Sequence, residues 1–236
     1  MKFIKEIAKI FLKEEMNELE TYKLKEQKEI NENKIRNYYG NKYPKTNIFY
    51  TRTDKLGVIN IDVRQFLNWR NCLLPIVKGE IDDDKAFNSL NWVIDNIRYS
   101  PDSNIYRQNE YWAFNYETLD SKKGDCEDGM ILLYCIMRYN GVPYWKIRCT
   151  TGNVLNPITK KEEGHAFLTY YVQSLDKWVI LDWCFVPNQL HPLDRKPYKE
   201  ENLYISTWFS FNEEFAYAKD VKDILKMNNT NPEVKK

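Results

Sequence analysis

The stretch from Gly124 to Phe185 constrains the fold of this chain more than any other. Gly124 and Asp125 lead into a mostly apolar run from Cys126 to Tyr139, which stops at Asn140, Gly141 and Pro143. Glycine and proline directly behind a periodic apolar run are helix C-terminal punctuation, so a helix is expected over 126–139. Three runs rich in β-branched and aromatic residues follow, Tyr144–Thr150, His165–Val172 and Trp178–Phe185. Their period-two patterning predicts antiparallel strands, the last two joined by a short turn at Ser174, Asp176 and Lys177. This order predicts an α+β fold with the helix packed on an antiparallel sheet.

Upstream the pattern is helical. Residues 1–38 are rich in Glu, Lys, Asn, Ile and Leu and contain no Gly or Pro, a composition that favours a long helix. Phe3, Ile4, Ile7, Ile10, Phe11 and Leu12 give it an apolar start, and charge dominates after Met16 and Leu19. Glutamates at every turn argue against a membrane anchor, and no heptad repeat supports a coiled coil. A helix that packs on its own domain or on a protein partner is the expectation, closed by Gly40 and Pro44. Residues 45–60 read as irregular or short strands. Two helices are predicted next. One runs from Asp62 to about Leu74, with Val63, Phe66, Leu67 and Trp69 on its apolar face, and breaks at Pro75 and Gly79. The other runs from about Asp83, with Asp83 or Asp84 as its cap, to Ile97.

Charge and composition narrow the function. The 236 residues carry 35 Lys+Arg against 34 Asp+Glu, a net charge of +1, which gives no reason to expect nucleic-acid binding. No apolar run approaches the roughly 18 residues a transmembrane helix needs. Lys5, Glu6, Lys9 and Lys13 interrupt the N-terminal apolar run, so no secretory signal is read. The expected location is the cytoplasm, or a phage particle assembled there. The cysteines, Cys72, Cys126, Cys135, Cys149 and Cys184, are odd in number and none form a CxxC pair. With only His165 and His191 beside them, neither a disulfide framework nor a structural zinc site is expected.

Taken singly, each cysteine is expected to be a small buried hydrophobe. Cys126 is the exception, because it begins a helix. There, orphan N–H groups and the positive end of the helix dipole favour a thiolate. Asp125 is expected to cap that helix. Glu127 and Asp128 place negative charge in its first turn, so a thiolate would need a cation beside it, and His165 is the natural candidate. Asp182 lies in the apolar run around Ile180 and Trp183, where a carboxylate is costly unless paired. If the last two strands form a hairpin, Asp182 and His165 become neighbours, and Asp182 orients the imidazole. His191, next to Pro192, reads as a loop residue.

This order of helix-start Cys, strand His and strand Asp resembles the transglutaminase-like cysteine peptidases of the papain-like superfamily, most of all their bacterial and phage members. The resemblance rests on YWAFNYETL (111–119), GDCEDG (124–129), GHAF (164–167) and WVILD (178–182), with a weaker match in NWVIDNIRYSPD (91–102), and spans about half the chain. It implies Cys126 as nucleophile, His165 as general base and acid, and Asp182 as orienting residue. The Cys126 N–H is the expected oxyanion donor. Trp112 N–H, with Tyr111 close behind, is the expected second donor or groove residue, and Glu117 is expected to be structural. Two positions depart from the family: Asn115 stands where Pro is common, and Gly129 where Ala or a bulkier residue is usual.

The implied organisation is a helical arm over 1–44, a helical part of the core over 45–105 and a transglutaminase-like catalytic core over 106–215. The end of a C-terminal helix and a frayed tail fill 216–236. The implied reaction is hydrolysis of a peptide or isopeptide amide through a thioester. This reaction needs no metal or organic cofactor, and calcium dependence is not implied, because no calcium-binding loop is visible. Cross-linking of proteins by amine transfer is the second enzymatic reading. A structural or interaction protein, such as a phage virion component, is the non-enzymatic one.

Overall fold

The computed structural model describes residues 16–23, 25–30, 33–34, 45–54 and 57–218. The chain divides into two units, 1–42 and 43–236. In the first, residues 16–23 and 25–30 are helical and almost entirely exposed, the form expected of a charged helix. The apolar start of the arm at 3–12 and the tail at 219–236 lie outside the described residues.

The second unit begins with an antiparallel hairpin, β1 (Phe49–Asp54) and β2 (Gly57–Asp62). Helix α1 (Asp82–Asn96), strand β3 (Arg98–Tyr99) and the short helix α2 (Asp102–Ile105) follow. Helix α3 (Asn115–Ser121) leads through β4 (Lys123–Gly124) into α4 (Cys126–Tyr139). Strands β5 (Ile147–Leu155), β6 (Glu162–Val172), β7 (Lys177–Leu181), β8 (Tyr204–Phe211) and β9 (Ala216–Ala218) complete it. They form one sheet in the order β7-β6-β5-β8-β9, every pair antiparallel. The expected α+β architecture, a helix on an antiparallel sheet, is present.

Helix α4 is buried at every residue from Glu127 to Met137. A helix apolar all round needs cover on all sides; β5 and β6 supply it on one, α1 and α3 on others. Leu132, Leu133 and Ile136 are wholly buried, each burial worth roughly 1.5–3 kcal/mol. The sheet register then decides what meets the start of this helix. β6 pairs with β7 as Leu168↔Leu181 and Val172↔Lys177. His165 therefore projects from β6 at the same sheet end where the chain leaves β7 into Asp182. β5 pairs with β8 through two register shifts around Gly152, whose missing side chain lets the Ser206 carbonyl approach.

Several expectations need correction. The helix predicted over 62–74 is a single 3₁₀ turn, Val63–Leu67, directly after β2. Asp62 ends the strand and caps the turn, accepting from Arg64 N at 3.0 Å and pairing with its guanidinium at 2.6 Å. Val63, Phe66 and Leu67 are buried as expected. However, the Asn68 side chain accepts from Arg70 N at 3.2 Å and turns the chain away from a helical course. Residues 144–146 form a 3₁₀ turn before β5, and the third predicted strand stops at Leu181, so Asp182 lies just beyond it. Residues 216–218 are strand β9, not part of a helix. Asn212 Oδ1 accepts from the N–H groups of Glu214 (3.0 Å) and Phe215 (2.8 Å), making the turn that folds β9 back on β8. At the start of α1 it is Asp84 whose carboxylate accepts from Glu80 and Ile81 N–H. Asp83 is buried and accepts from Tyr170 OH at 2.6 Å.

Candidate active site

Cys126 is the first residue of α4, half-buried, and its N–H has no acceptor within the helix. Two glycines shape its surroundings. At Gly124 a Cβ would strike the Asp128 side chain, so glycine lets β4 lie against the first turn. At Gly129 a Cβ would overlap the Trp183 indole. The space left by Gly129 admits that ring, and Trp183 Nε1–H donates to the Cys126 carbonyl at 3.2 Å. The departure from the family pattern at Gly129 thus has a packing reason.

His165 and Asp182 are brought together by the β6–β7 hairpin. His165 Nε2–H donates to Asp182 Oδ2 at 2.7 Å, with both side chains buried. Asp182 Oδ1 accepts from the N–H groups of Cys184 (3.0 Å) and Phe185 (3.2 Å), and Oδ2 also accepts from Tyr204 OH at 2.8 Å. Burial pushes the Asp182 carboxyl up, but His165 and these N–H donors outweigh it and hold it below the usual carboxylate value. Burial pulls the His165 imidazole down, and Asp182 and then Cys126 outweigh that, raising it to about 10. The ring is therefore a cation at neutral pH. Its Nε2 is committed to Asp182, which leaves Nδ1 for the thiol. Cys184 also lies beside this pair, but burial and the Asp182 charge push its thiol up and keep it neutral.

The first turn of α4 holds a feature that the sequence reading missed. Asp125 occupies the cap position of the helix, but its side chain makes no capping hydrogen bond. Instead, carboxylate oxygens of Asp102, Asp125 and Asp128 lie within 4.8 Å of one another, as do those of Asp102, Glu110 and Glu127. Asp102 Oδ1, Asp125 Oδ1, Glu127 Oε1 and Asp128 Oδ2 are buried without a hydrogen-bond partner. Burial, reinforced by Asp125, pushes Asp102 up to about 8; burial and the neighbouring charges carry Glu127 and Asp128 well above the carboxylate range. Glu127 Oε2 accepts from the Cys126 thiol at 3.2 Å. An all-oxygen set of crowded, unsatisfied carboxylates is the donor chemistry of a hard divalent cation such as calcium. No contiguous loop announces it, because its members come from α2, the segment before α3, and the start of α4. The available signal was the number of acidic residues set among aromatic and apolar neighbours.

Trp112 and Tyr111 are placed otherwise than as oxyanion donors. Tyr111 N–H donates to Asp102 Oδ2, and Trp112 N–H donates to Tyr50 OH at 3.4 Å. Trp112 Nε1–H donates to Glu110 Oε1 at 2.9 Å, and its ring stacks on Tyr50 at 5.2 Å. Both backbone donors are thus spent within the fold, and Trp112 is a core residue, 2% exposed. Glu117 is structural: it holds Arg52 through two bonds of 2.7 and 2.8 Å and accepts from Phe114 N at 2.8 Å. Asn115 ties this loop to the Asn68 carbonyl at 3.3 Å. His191 caps a 3₁₀ turn and bonds Asp84 at 3.3 Å.

Residues 76–183 match the family described as Transglutaminase-like superfamily. No curated protein sequence matches the chain. Among solved structures, calcium-bound LapG of Legionella pneumophila aligns with 20% identity and TM-score 0.47, over 64% of this chain and 82% of LapG. LapG treated with EGTA aligns with 21% identity and TM-score 0.45, over 61% and 71%. A candidate cysteine protease from Cytophaga hutchinsonii aligns with 20% identity and TM-score 0.35, over 45% and 33%.

Proposed function

From the premise that residues 76–183 are a domain of the transglutaminase-like superfamily, we propose that this protein is a cysteine-dependent acyl-transfer enzyme that hydrolyses a peptide or isopeptide amide. The observation that carries the reading is the buried 2.7 Å His165–Asp182 pair beside a cysteine at a helix start. In the proposed reaction the Cys126 thiolate attacks the amide carbonyl carbon. The developing oxyanion receives the Cys126 N–H. The His165 imidazolium passes its Nδ1 proton to the leaving nitrogen, the C–N bond breaks, and a thioester remains. The neutral imidazole then takes a proton from water, which attacks the thioester and releases the acid and the thiol. An amine arriving in place of water would give a cross-link by the same chemistry.

A divalent cation on the carboxylate cluster belongs to this proposal. Asp102, Asp125 and Asp128, with Glu110 and Glu127, are the residues that would hold it, and its contribution would be to let these acids ionise beside the thiolate with their charge compensated. The chain's own part is to present those oxygens from three separate segments.

The test is the rate of Cys126 alkylation by iodoacetamide against pH, in the native protein and in His165→Ala, with the labelled cysteine identified by mass. Rapid labelling well below pH 8 that collapses in His165→Ala is expected. Labelling of a folded, accessible Cys126 at the rate of an ordinary thiol would overturn the reading and favour a structural role for an inherited fold.

A further inference from the structure

The Asp182 carboxylate is served from two directions. Its Oδ1 is fixed by backbone N–H groups of its own segment, at Cys184 and Phe185. Its Oδ2 is shared by two side chains from strands that are not neighbours in the sheet, His165 on β6 at 2.7 Å and Tyr204 on β8 at 2.8 Å. A carboxylate oxygen has two lone-pair directions. With one filled by the phenol, the imidazole has only the other, so the direction of the His165 ring follows from where Tyr204 stands. Tyr204 is itself held. Its ring meets Phe167 edge-on at 4.7 Å and Phe185 at 6.0 Å. Its backbone pairs with Val154, just past the register shift around Gly152 that brings the start of β8 over the site.

We propose that Tyr204 is a positioning residue for the acid–base pair, its hydroxyl fixing Asp182 Oδ2 and through it the orientation of His165 toward Cys126. The idea rests on the triad reading above. The phenol touches neither the thiol nor a substrate carbonyl; it acts through Asp182. It also serves a second need: an ionised carboxylate buried as deeply as Asp182 requires several donors, and Tyr204 is one of the four it has.

The experiment uses the full-length protein labelled with ¹⁵N at histidine. With only His165 and His191 in the chain, the ring N–H resonances are assigned by comparison with His191→Gln. In Tyr204→Phe the His165 Nε2–H resonance is expected downfield of its native position, because Oδ2 then serves one donor instead of two. Alkylation of Cys126 is expected to fall roughly tenfold, the worth of one hydrogen bond to a charged group. Tyr198→Phe is the control: it removes a hydroxyl bonded to Thr207 at 2.9 Å from a ring packed on Phe167, and both readouts are expected to stay native. Should Tyr204→Phe fail to fold, 3-fluorotyrosine placed at position 204 keeps the hydroxyl as a stronger donor and is expected to move the resonance upfield. A His165 resonance at its native position in the folded variant overturns the proposal, whatever the change in melting temperature. The two readings fail separately. A shifted resonance with an unreactive native Cys126 leaves the positioning and removes the thiol chemistry. An activated Cys126 with an unmoved resonance does the reverse.

Discussion

Gly129 is the residue whose substitution separates helix propensity from packing. Alanine within a helix is favoured over glycine by roughly 0.8–1 kcal/mol, so propensity alone predicts a more stable Gly129→Ala. The added methyl would instead overlap the Trp183 indole and break its bond to the Cys126 carbonyl. Overpacking of this kind costs about 1–3 kcal/mol and the hydrogen bond about 1 kcal/mol more. A net loss of about 1–3 kcal/mol is expected for Gly129→Ala in urea unfolding; a gain would mean the ring moves aside freely. At this scale the candidate triad was legible because its residue types are scarce or misplaced. There are two histidines, one of them directly behind a glycine, and one carboxylate sits in an apolar run. Tyr204 was not legible. It is one of 17 tyrosines, and its meeting with Asp182 depends on a register shift between β5 and β8 that no local pattern encodes.

Among the elements, α4 begins at the candidate site and runs through the core. Leu133 is wholly buried on it, and Leu133→Ala is expected to cost about 2–5 kcal/mol, read from the urea midpoint at an unchanged m-value. A smaller loss would mean the core collapses around the deleted side chain. The helix over 126–139 was readable from its apolar run and its Gly and Pro stop, and the strands from their β-branched and aromatic alternation, although the expected runs, 144–150, 165–172 and 178–185, are shifted from the observed 147–155, 162–172 and 177–181. The segment over 62–74 misled because Val63, Phe66 and Leu67 recur at spacings that a single 3₁₀ turn satisfies as well as a helix does. The Asp62 and Asn68 side chains then decide in favour of the turn. The C-terminal strand was hidden for a related reason: β9 exists through the Asn212 turn and its pairing with β8, both long-range facts for a three-residue strand.

For the molecule as a whole, the site makes stability fall as pH rises through neutrality. Asp102 is raised from 3.8 to about 8 in the folded state. Its folded form therefore holds a proton that the unfolded chain releases, and stability declines as pH rises from about 4 to about 8. His165, raised from 6.5 to about 10, contributes stability that is complete below 6.5 and lost as pH rises through about 10. A cation on the cluster would remove the first of these declines. The melting temperature in EGTA is therefore expected to fall between pH 5 and pH 8, and calcium is expected to restore it at pH 8. At a hundredfold excess over its dissociation constant the gain is about 2.7 kcal/mol. Equal melting curves with EGTA and with calcium at pH 8 would remove the cation from the proposal. The charge balance of the whole chain gave no hint of this, because a net charge of +1 averages over a local concentration of five acids.

The division of the site between a hairpin and a helix has a consequence for the newly made chain. His165 and Asp182 are 17 residues apart and meet across β6 and β7, whereas the Trp183 bond to Cys126 spans 57 residues. Hairpins close in about 1–10 μs, and longer loops pay more entropy before their contacts form. The imidazole and the carboxylate can therefore assemble while the thiol is still distant. Cys126 joins them only when α4 docks. On the proposed reading, a nascent or partly unfolded molecule lacks the assembled site, and its thiol chemistry arrives together with its native shape.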